Sequence, residues 1–316
     1  MVHFIKLLRP FNLLIIALTM FGLGSYFDFY VTKNGAESLL FSTPFILLIV
    51  STVLIAAAGN IINDYFDVRA DRINRPTKLI IGKYIKKRWA IVLHWLINFI
   101  AFGIAIYLSY TFKTFWYVFI HLLSINLLWY YSSHLKRTMV IGNIVIALLT
   151  ALVPLLVGIF YNPFLLESIP ALYPFENIID TQNWILFFSI SLGLFAFFLN
   201  WSREIIKDIE DVDGDKVIRA KTLPITLGNK KTKWIATAVI FVPIIVTVSL
   251  YPLYAISGLN LVAFYPVFGS ALFVLLALYF LWQPNAEKRS IKLSHTCIKL
   301  AMVCGLFLPI YWLMIH

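Results

Sequence analysis

Long apolar runs, broken by short polar stretches, dominate the pattern along this chain. A helix needs about 20 apolar residues to cross the hydrocarbon core of a bilayer. Runs over 11–30, 43–62, 89–111, 115–132, 139–160, 183–202, 233–251, 263–283 and 295–315 predict nine such helices. The ninth opens on polar Ser294 and His295 and is otherwise apolar. The first run begins near Phe11, is long enough to span, and lacks a small-residue cleavage site, so it is expected to stay in the mature chain. The stretch 161–182 carries Pro163, Pro170 and Pro174 with Glu167, Glu176 and Asp180, and reads as a surface cap. No part of the pattern looks like a separate soluble domain. The expected fold class is all-α: a polytopic membrane protein of nine transmembrane helices, with residues 1–316 as a single domain.

Composition agrees with that pattern. The chain is 61% hydrophobic and 13% charged, whereas soluble domains are nearer half apolar and about a quarter charged. The net charge of +11 raises the question of nucleic acid, but its distribution answers it. With the N-terminus inside, every Lys and Arg except Lys33, Lys113 and Lys299 falls in an inner segment. Lys299, in the first turns of the last helix, can snorkel inward. This asymmetry is the positive-inside signature. It predicts a cytoplasmic N-terminus and an outer C-terminus in a multi-pass cell-membrane protein, with no nucleic-acid partner needed. No obligate protein partner is evident either. Cys297 and Cys304 lie seven residues apart in one helix, about 10 Å, which is too far for a disulfide.

Against this apolar background two acidic stretches stand out. Asp64, Asp67 and Asp71 are spaced i, i+3, i+7, and so are Asp208, Asp211 and Asp215. Residues three and four apart share a helix face. Both stretches follow an apolar segment directly, in the inner loops after the second and sixth spans, so both are expected on the cytoplasmic side. Asn60, Asp64, Asp67, Asp71 and Glu204, Asp208, Asp211, Asp215 repeat one spacing four spans apart. That suggests four-helix pseudo-repeats over about 11–132 and 139–283.

Two acidic clusters that repel each other coexist most simply around divalent cations, and Mg2+ on carboxylates usually also holds substrate phosphates. Asn63 offers a neutral oxygen beside the first trio. Arg72 and Arg75 follow it and have the geometry to grip phosphate bidentately, and Pro76 ends the helix. Arg203 and Lys207 sit on the membrane side of the second trio. An EF-hand is excluded, because Gly214 is fourth from Asp211 rather than sixth. A zinc site is excluded by the lack of Cys or His in either cluster. A cation transporter is the rival from another class, but transport sites lie near the midplane, and here the acids gather at the span ends. His94 and His121, inside the third and fourth spans, are expected to make helix–helix hydrogen bonds.

The paired motifs resemble those of the UbiA superfamily of intramembrane prenyltransferases, and the likeness covers essentially the whole chain. The family's first motif matches Asn63, Asp64, Asp67 and Asp71; its second matches Asp208, Asp211 and Asp215. Arg9-Pro10-Phe11-Asn12 resembles its entry to the first helix, where the asparagine lines the site. Tyr131-Ser132-Ser133-His134-Leu135-Lys136-Arg137, followed by Gly142-Asn143, resembles its loop between helices four and five. Residues 71–76 and 203–228 most resemble the branch that adds a second geranylgeranyl chain to a glycerol-phosphate lipid. Residues 76–82 depart from that branch, lacking its second Arg-Pro and a later proline. Prenylation of an aromatic acceptor is the alternative within the family.

The resemblance implies that Mg2+ on Asn63, Asp64, Asp67, Asp71, Asp208, Asp211 and Asp215 bridges to a polyprenyl diphosphate, geranylgeranyl diphosphate for the favoured branch. Asp67, Asp71, Asp211 and Asp215 are the catalytic candidates. Asn12, Asn60, Arg72, Arg75, Tyr131, Lys136, Asn143, Arg203 and Lys207 are the substrate-binding candidates. Ionisation of the allylic C–O bond and attack by a lipophilic acceptor would follow, with Tyr65, Phe66, Tyr131 and Trp201 as aromatic neighbours of the cation.

Overall fold

The structure, a computed structural model, describes residues 2–33, 37–166, 184–256, 265–284 and 288–315. Its described residues are helical, apart from turns and one isolated bridge between Ile81 and Ile85. In chain order the helices are α1 (Val2–Leu8), α2 (Pro10–Lys33), α3 (Thr43–Asn74), α4 (Lys87–Thr111), α5 (Trp116–Ser133), α6 (Ile141–Leu166), α7 (Trp184–Val217), α8 (Leu223–Leu227), α9 (Asn229–Ile256), α10 (Tyr265–Leu281) and α11 (Lys288–Ile315). Each expected span falls on one of the long helices. Six of them, α2, α3, α4, α6, α7 and α11, are long and apolar enough to cross a membrane, so this is a multi-pass membrane protein. The 18 residues of α5 include His121, Asn126 and a Trp-Tyr-Tyr-Ser-Ser end, which dilute its apolar character. The apolar stretch of α10, Phe268–Leu281, is shorter. The expected cap at 161–182 begins as helix, since α6 continues to Leu166; residues 167–182 lie outside the described residues.

The acidic stretches, expected on one helix face in the inner segments after their spans, are continuous with the apolar helices. α3 runs for 32 residues and α7 for 34, about 48 and 51 Å at 1.5 Å per residue. A hydrocarbon core is about 30 Å thick, so each helix projects several turns beyond it, and the aspartates ride on that extension. Local chemistry sets the ends of α3. Ser42 accepts a hydrogen bond from the Phe45 amide, and Pro44 occupies the first turn, where its missing N–H costs nothing. At the other end the Arg75 amide closes on the Asp71 carbonyl, and Pro76 follows.

The described residues form two compact units. The first comprises residues 1–18, 42–146 and 211–228. Here α3 packs on α4 and α5, burying Phe45, Leu48, Ser51, Ile55, Ala58 and Ile62 at steps of three and four, the period of one helix face. Two polar contacts cross these helices. His121 Nε2 on α5 meets Ser51 Oγ on α3 at 2.8 Å, and His94 Nδ1 on α4 meets the Ala58 carbonyl at 2.9 Å. Both histidines therefore make the helix–helix bonds expected of them. Ser51→Ala is predicted to cost about 1 kcal/mol of stability, the scale of interhelical hydrogen bonds in membranes, and to leave transfer per folded molecule unchanged; unfolding of the purified protein and a parallel transfer assay check both.

In the same unit, residues 79–85 fold back on themselves. Gly82 takes φ +87° and its amide reaches the Ile85 carbonyl at 2.8 Å. Ile81 and Ile85 are thereby buried with Leu7 of α1, Val68 and Ala90. The end of the stretch that departs from the resembled branch, residues 79–82, thus belongs to an apolar clasp packed on Leu7 of α1.

The second unit comprises residues 19–41, 147–210 and 229–316. Hydroxyls again stitch helices: Ser270 Oγ donates to the Ala301 carbonyl at 2.7 Å, and Ser294 Oγ to that of Ala277 at 2.8 Å, tying α10 to α11. That explains polar Ser294 in the last apolar run. His295 beside it meets Glu210 of α7 at 2.6 Å. The buried Asp28 carboxylate accepts from Ser38 Oγ at 2.6 Å and from the Leu39 and Leu40 amides at 2.7 and 3.1 Å, closing the turn after α2. Cys297 and Cys304 are free thiols, as their spacing requires.

Candidate active site

The first unit gathers one ammonium and several carboxylates. Lys136 sits in the short 3-10 turn Leu135–Arg137 between α5 and α6. Its Nζ is ion-paired with Asp67 of α3 and lies 3.4 Å from Asn63 Oδ1. It also attracts Asp64, Asp71 and, from α7, Asp211. Burial alone would lower the affinity of this amine for its proton; Asp67, Tyr131 and Asp211 more than reverse that, raising its pKa above the ordinary lysine value. Lys136 is therefore a permanent cation at the centre of the acids.

A glycine makes this placement possible. A Cβ on Gly142 would lie 2.4 Å from the Leu135 carbonyl oxygen and 3.1 Å from Lys136 Cα. Only a bare backbone lets the start of α6 pass so close beneath the turn. The Arg137 carbonyl then accepts from the Lys221 amide at 2.8 Å, fastening the turn to the segment after α7. Gly142→Ala is predicted to lower transfer by about tenfold or more, since a shift near 1 Å at a positioning group has that scale of effect; steady-state assay with a parallel melting curve measures it.

Two further cations hold acids in the same unit. Arg9, between α1 and α2, adopts φ +57°, a conformation uncommon for a residue with a side chain. Its guanidinium is ion-paired with Asp64. Asn60 supports this entry by donating from Nδ2 to the Leu8 carbonyl at 2.9 Å. Arg75 Nη2 lies 3.0 Å from both carboxylate oxygens of Asp211. Asp67 in turn sits close enough to Asp64 and Asp71 to repel both. The site is a carboxylate field held together by Arg9, Lys136 and Arg75.

The remaining candidates are distributed as follows. Tyr131 is buried within electrostatic reach of Lys136. Asn143, at the start of α6, and Asp215 are buried; Asp71 and Asn12 are half-buried and Arg72 is exposed. Tyr65 lies under Lys87, 5.6 Å from its ring centre, and Phe66 packs edge-on against Trp129. In the second unit, Arg203 is ion-paired with buried Glu204, and Lys207 Nζ lies 3.2 Å from the same carboxylate. Asp208, also of that unit, precedes Asp211 by about one turn on α7, and Trp201 packs on Phe197 and Phe198. Arg9 and Gly142 stood in the sequence only inside resembled motifs, and Asn74 and Gly214 were not site candidates; their contacts give all four a place here.

The donor set suits a hard divalent cation. It is made of carboxylates and an amide oxygen around a point of positive charge, without thiol or imidazole. Among the described residues no three of His, Cys, Asp or Glu close into a cage.

Long apolar helices, two of them extended to carry acids around fixed cations, define a centre suited to a charged group at the end of membrane-spanning helices. Comparison with known proteins gives that class its family. The UbiA prenyltransferase family model matches residues 13–303, and the chain belongs to that family; it is a prenyltransferase. It is 32% identical over 96% of its length, and 95% of the relative's, to a digeranylgeranylglyceryl phosphate synthase of Thermococcus gammatolerans. It is 34% identical to the same enzyme of Pyrococcus horikoshii, over 77% of this chain and 75% of that one. Among solved structures, a UbiA homologue from Aeropyrum pernix K1 superposes with TM-score 0.63 at 18% identity, covering 95% of this chain and 97% of that one. A structure from work on digeranylgeranylglyceryl phosphate synthase in membranes gives TM-score 0.63 at 23% identity, covering 98% and 96%. At those identities the structures establish the shared fold.

Proposed function

We propose that this protein transfers the geranylgeranyl group of geranylgeranyl diphosphate to geranylgeranylglyceryl phosphate, forming the second ether bond of a membrane lipid. The observation that carries the reading is the convergence of both acidic helices on Lys136, in a chain aligned nearly end to end with relatives named for that synthesis. All nine long helices are taken to cross the membrane in one domain, with the N-terminus and the active site on the cytoplasmic side and the C-terminus outside, as the distribution of Lys and Arg supports.

Asp67, Asp71, Asp211 and Asp215, with Asn63 and Asp64, would hold Mg2+; when bound, the metal would neutralise the diphosphate and make it a better leaving group. Lys136, Arg9 and Arg75, which hold carboxylates in this structure, lie where they can turn to phosphate oxygens. Positive charge fixed beside the departing diphosphate favours cleavage of the allylic C–O bond. Tyr131 presents an aromatic face near that charge, suited to an allylic cation. The apolar helix faces exclude water, which would otherwise capture the cation. The acceptor hydroxyl then forms the new C–O bond to the allylic carbon, and its proton passes to the diphosphate released from that carbon.

Acceptor choice is tested by offering geranylgeranylglyceryl phosphate and an aromatic acid together to the protein in lipid, then identifying products by mass spectrometry. The reading predicts the diether. An exclusively aromatic product would leave the family intact and overturn the acceptor.

A further inference from the structure

The last residue of α3 does something that neither acidic motif requires. Asn74 follows Asp67 by seven residues and Asp71 by three, so it continues their stripe along α3. Its side-chain amide spans one turn of α7. Asn74 Nδ2 donates to the Asp211 carbonyl at 3.0 Å, and the Gly214 amide donates to Asn74 Oδ1 at 2.9 Å. One orientation of the amide satisfies both bonds at once. The contact also demands the glycine. A Cβ at position 214 would sit 2.3 Å from Asn74 Nδ2 and 2.8 Å from the Ala70 carbonyl oxygen, the latter a backbone atom that cannot swing aside. The next residue, Arg75, grips the Asp211 carboxylate. Adjacent residues, the last of α3 and its C-cap, thus hold both the backbone and the side chain of one aspartate on α7.

We infer that Asn74 and Gly214 form a latch that sets the separation and register of the two carboxylate stripes, making both positioning residues for the metal–diphosphate site. The inference rests on the proposed function. Asn74 touches no substrate in this role; it acts through Asp211 and, one residue beyond Gly214, Asp215. Loss of the latch lets α7 slide or part from α3, so that oxygens from the two helices no longer meet one ion. An aspartate at position 74 should be worse than alanine: it can still accept from Gly214, but its second oxygen faces the Asp211 carbonyl with no proton between them.

The test uses the full chain in lipid nanodiscs with a geranylgeranyl thiodiphosphate that resists ionisation. Mg2+ is titrated at fixed analogue, and the rise in melting temperature is followed. Supporting residues around metal ligands typically change metal affinity by about 10–100-fold. The Mg2+ midpoint should therefore rise at least about tenfold in Asn74→Ala, and further in Asn74→Asp and Gly214→Ala. Adding Asn74→Ala to Gly214→Ala removes the 2.3 Å clash, so the double variant should bind Mg2+ no worse than Gly214→Ala alone. Ser51→Ala, which weakens the α3–α5 contact away from the acids, should lower the starting melting temperature and leave the midpoint unchanged. A midpoint in Asn74→Ala within twofold of wild type, whatever its stability, overturns the latch. Absence of any Mg2+-dependent shift in the wild type overturns the proposed function itself, and the latch with it.

Discussion

Asp67→Ala is expected to reduce transfer by on the order of 10³-fold or more, and Asp211→Ala by a similar factor, while both proteins still insert and fold. Asp67 is the middle of the first trio. It pairs with Lys136 and sits within repulsive reach of Asp64 and Asp71. Removing it deletes a proposed metal ligand and also frees the ammonium from its partner. Asp211 is the acid of the second trio that the structure brings to the same ammonium, and Arg75 holds it there. Asp67→Asn separates the two contributions: the amide keeps the shape and one oxygen and loses the charge. Single-turnover transfer with labelled donor measures the chemistry, and membrane extraction followed by size-exclusion chromatography measures folding. Near wild-type turnover in either alanine variant would remove the two-helix site.

Lys136→Met should lower transfer by about 10²–10³-fold, the scale for losing one fixed charge that stabilises a developing anion. The substitution keeps most of the side-chain length and deletes the cation. It leaves Asp67, Asp64 and Asp71 mutually repelling, with Arg9 and Arg75 as the other cations at the site. Removing one partner of a buried ion pair costs about 3–5 kcal/mol, and the partial exposure of this pair, 23% for Lys136 and 10% for Asp67, puts the expected loss at or below the lower end. Lys136→Arg keeps the charge but replaces a compact ammonium with a planar fork, so it should recover only part of the activity. The apparent KM for the diphosphate, measured beside kcat, tells whether the cation serves binding or departure. Unchanged values of both in Lys136→Met would show that the ammonium merely balances the acids.

Much of this fold was legible in the pattern of the chain. Each apolar run fell on a helix among the described residues, and six of those helices are long and apolar enough to cross a membrane, because a membrane span needs a fixed length of apolar residues. The spacing of Asp64, Asp67 and Asp71 announced a helical face, as did that of Asp208, Asp211 and Asp215. The apolar runs by themselves do not mark where each helix stops. The apolar run ends near residue 62, but the backbone stays helical to Asn74, because hydrogen bonding along a helix does not depend on side-chain polarity. Pro76, read in the sequence as the end of the helix, is the stop signal. The partners of the charges were also hidden. Arg75 and Lys136 read as phosphate ligands, and in this structure they hold Asp211 and Asp67. Pairing across 136 and 69 residues of chain leaves no periodic trace. Arg9 carries a positive φ that its residue type does not announce. Asn74 looked like one polar residue among arginines, and only the glycine opposite it gives it meaning.

The most direct measurement is transfer of label from geranylgeranyl diphosphate to geranylgeranylglyceryl phosphate by the purified protein in lipid, first with metal chelated and then with Mg2+ restored. The account predicts no labelled diether under chelation and its appearance on adding Mg2+, with diphosphate released in equal amount. Labelled diether formed at the same rate under chelation would contradict a metal-bridged carboxylate site, and no transfer under either condition would contradict the proposed reaction.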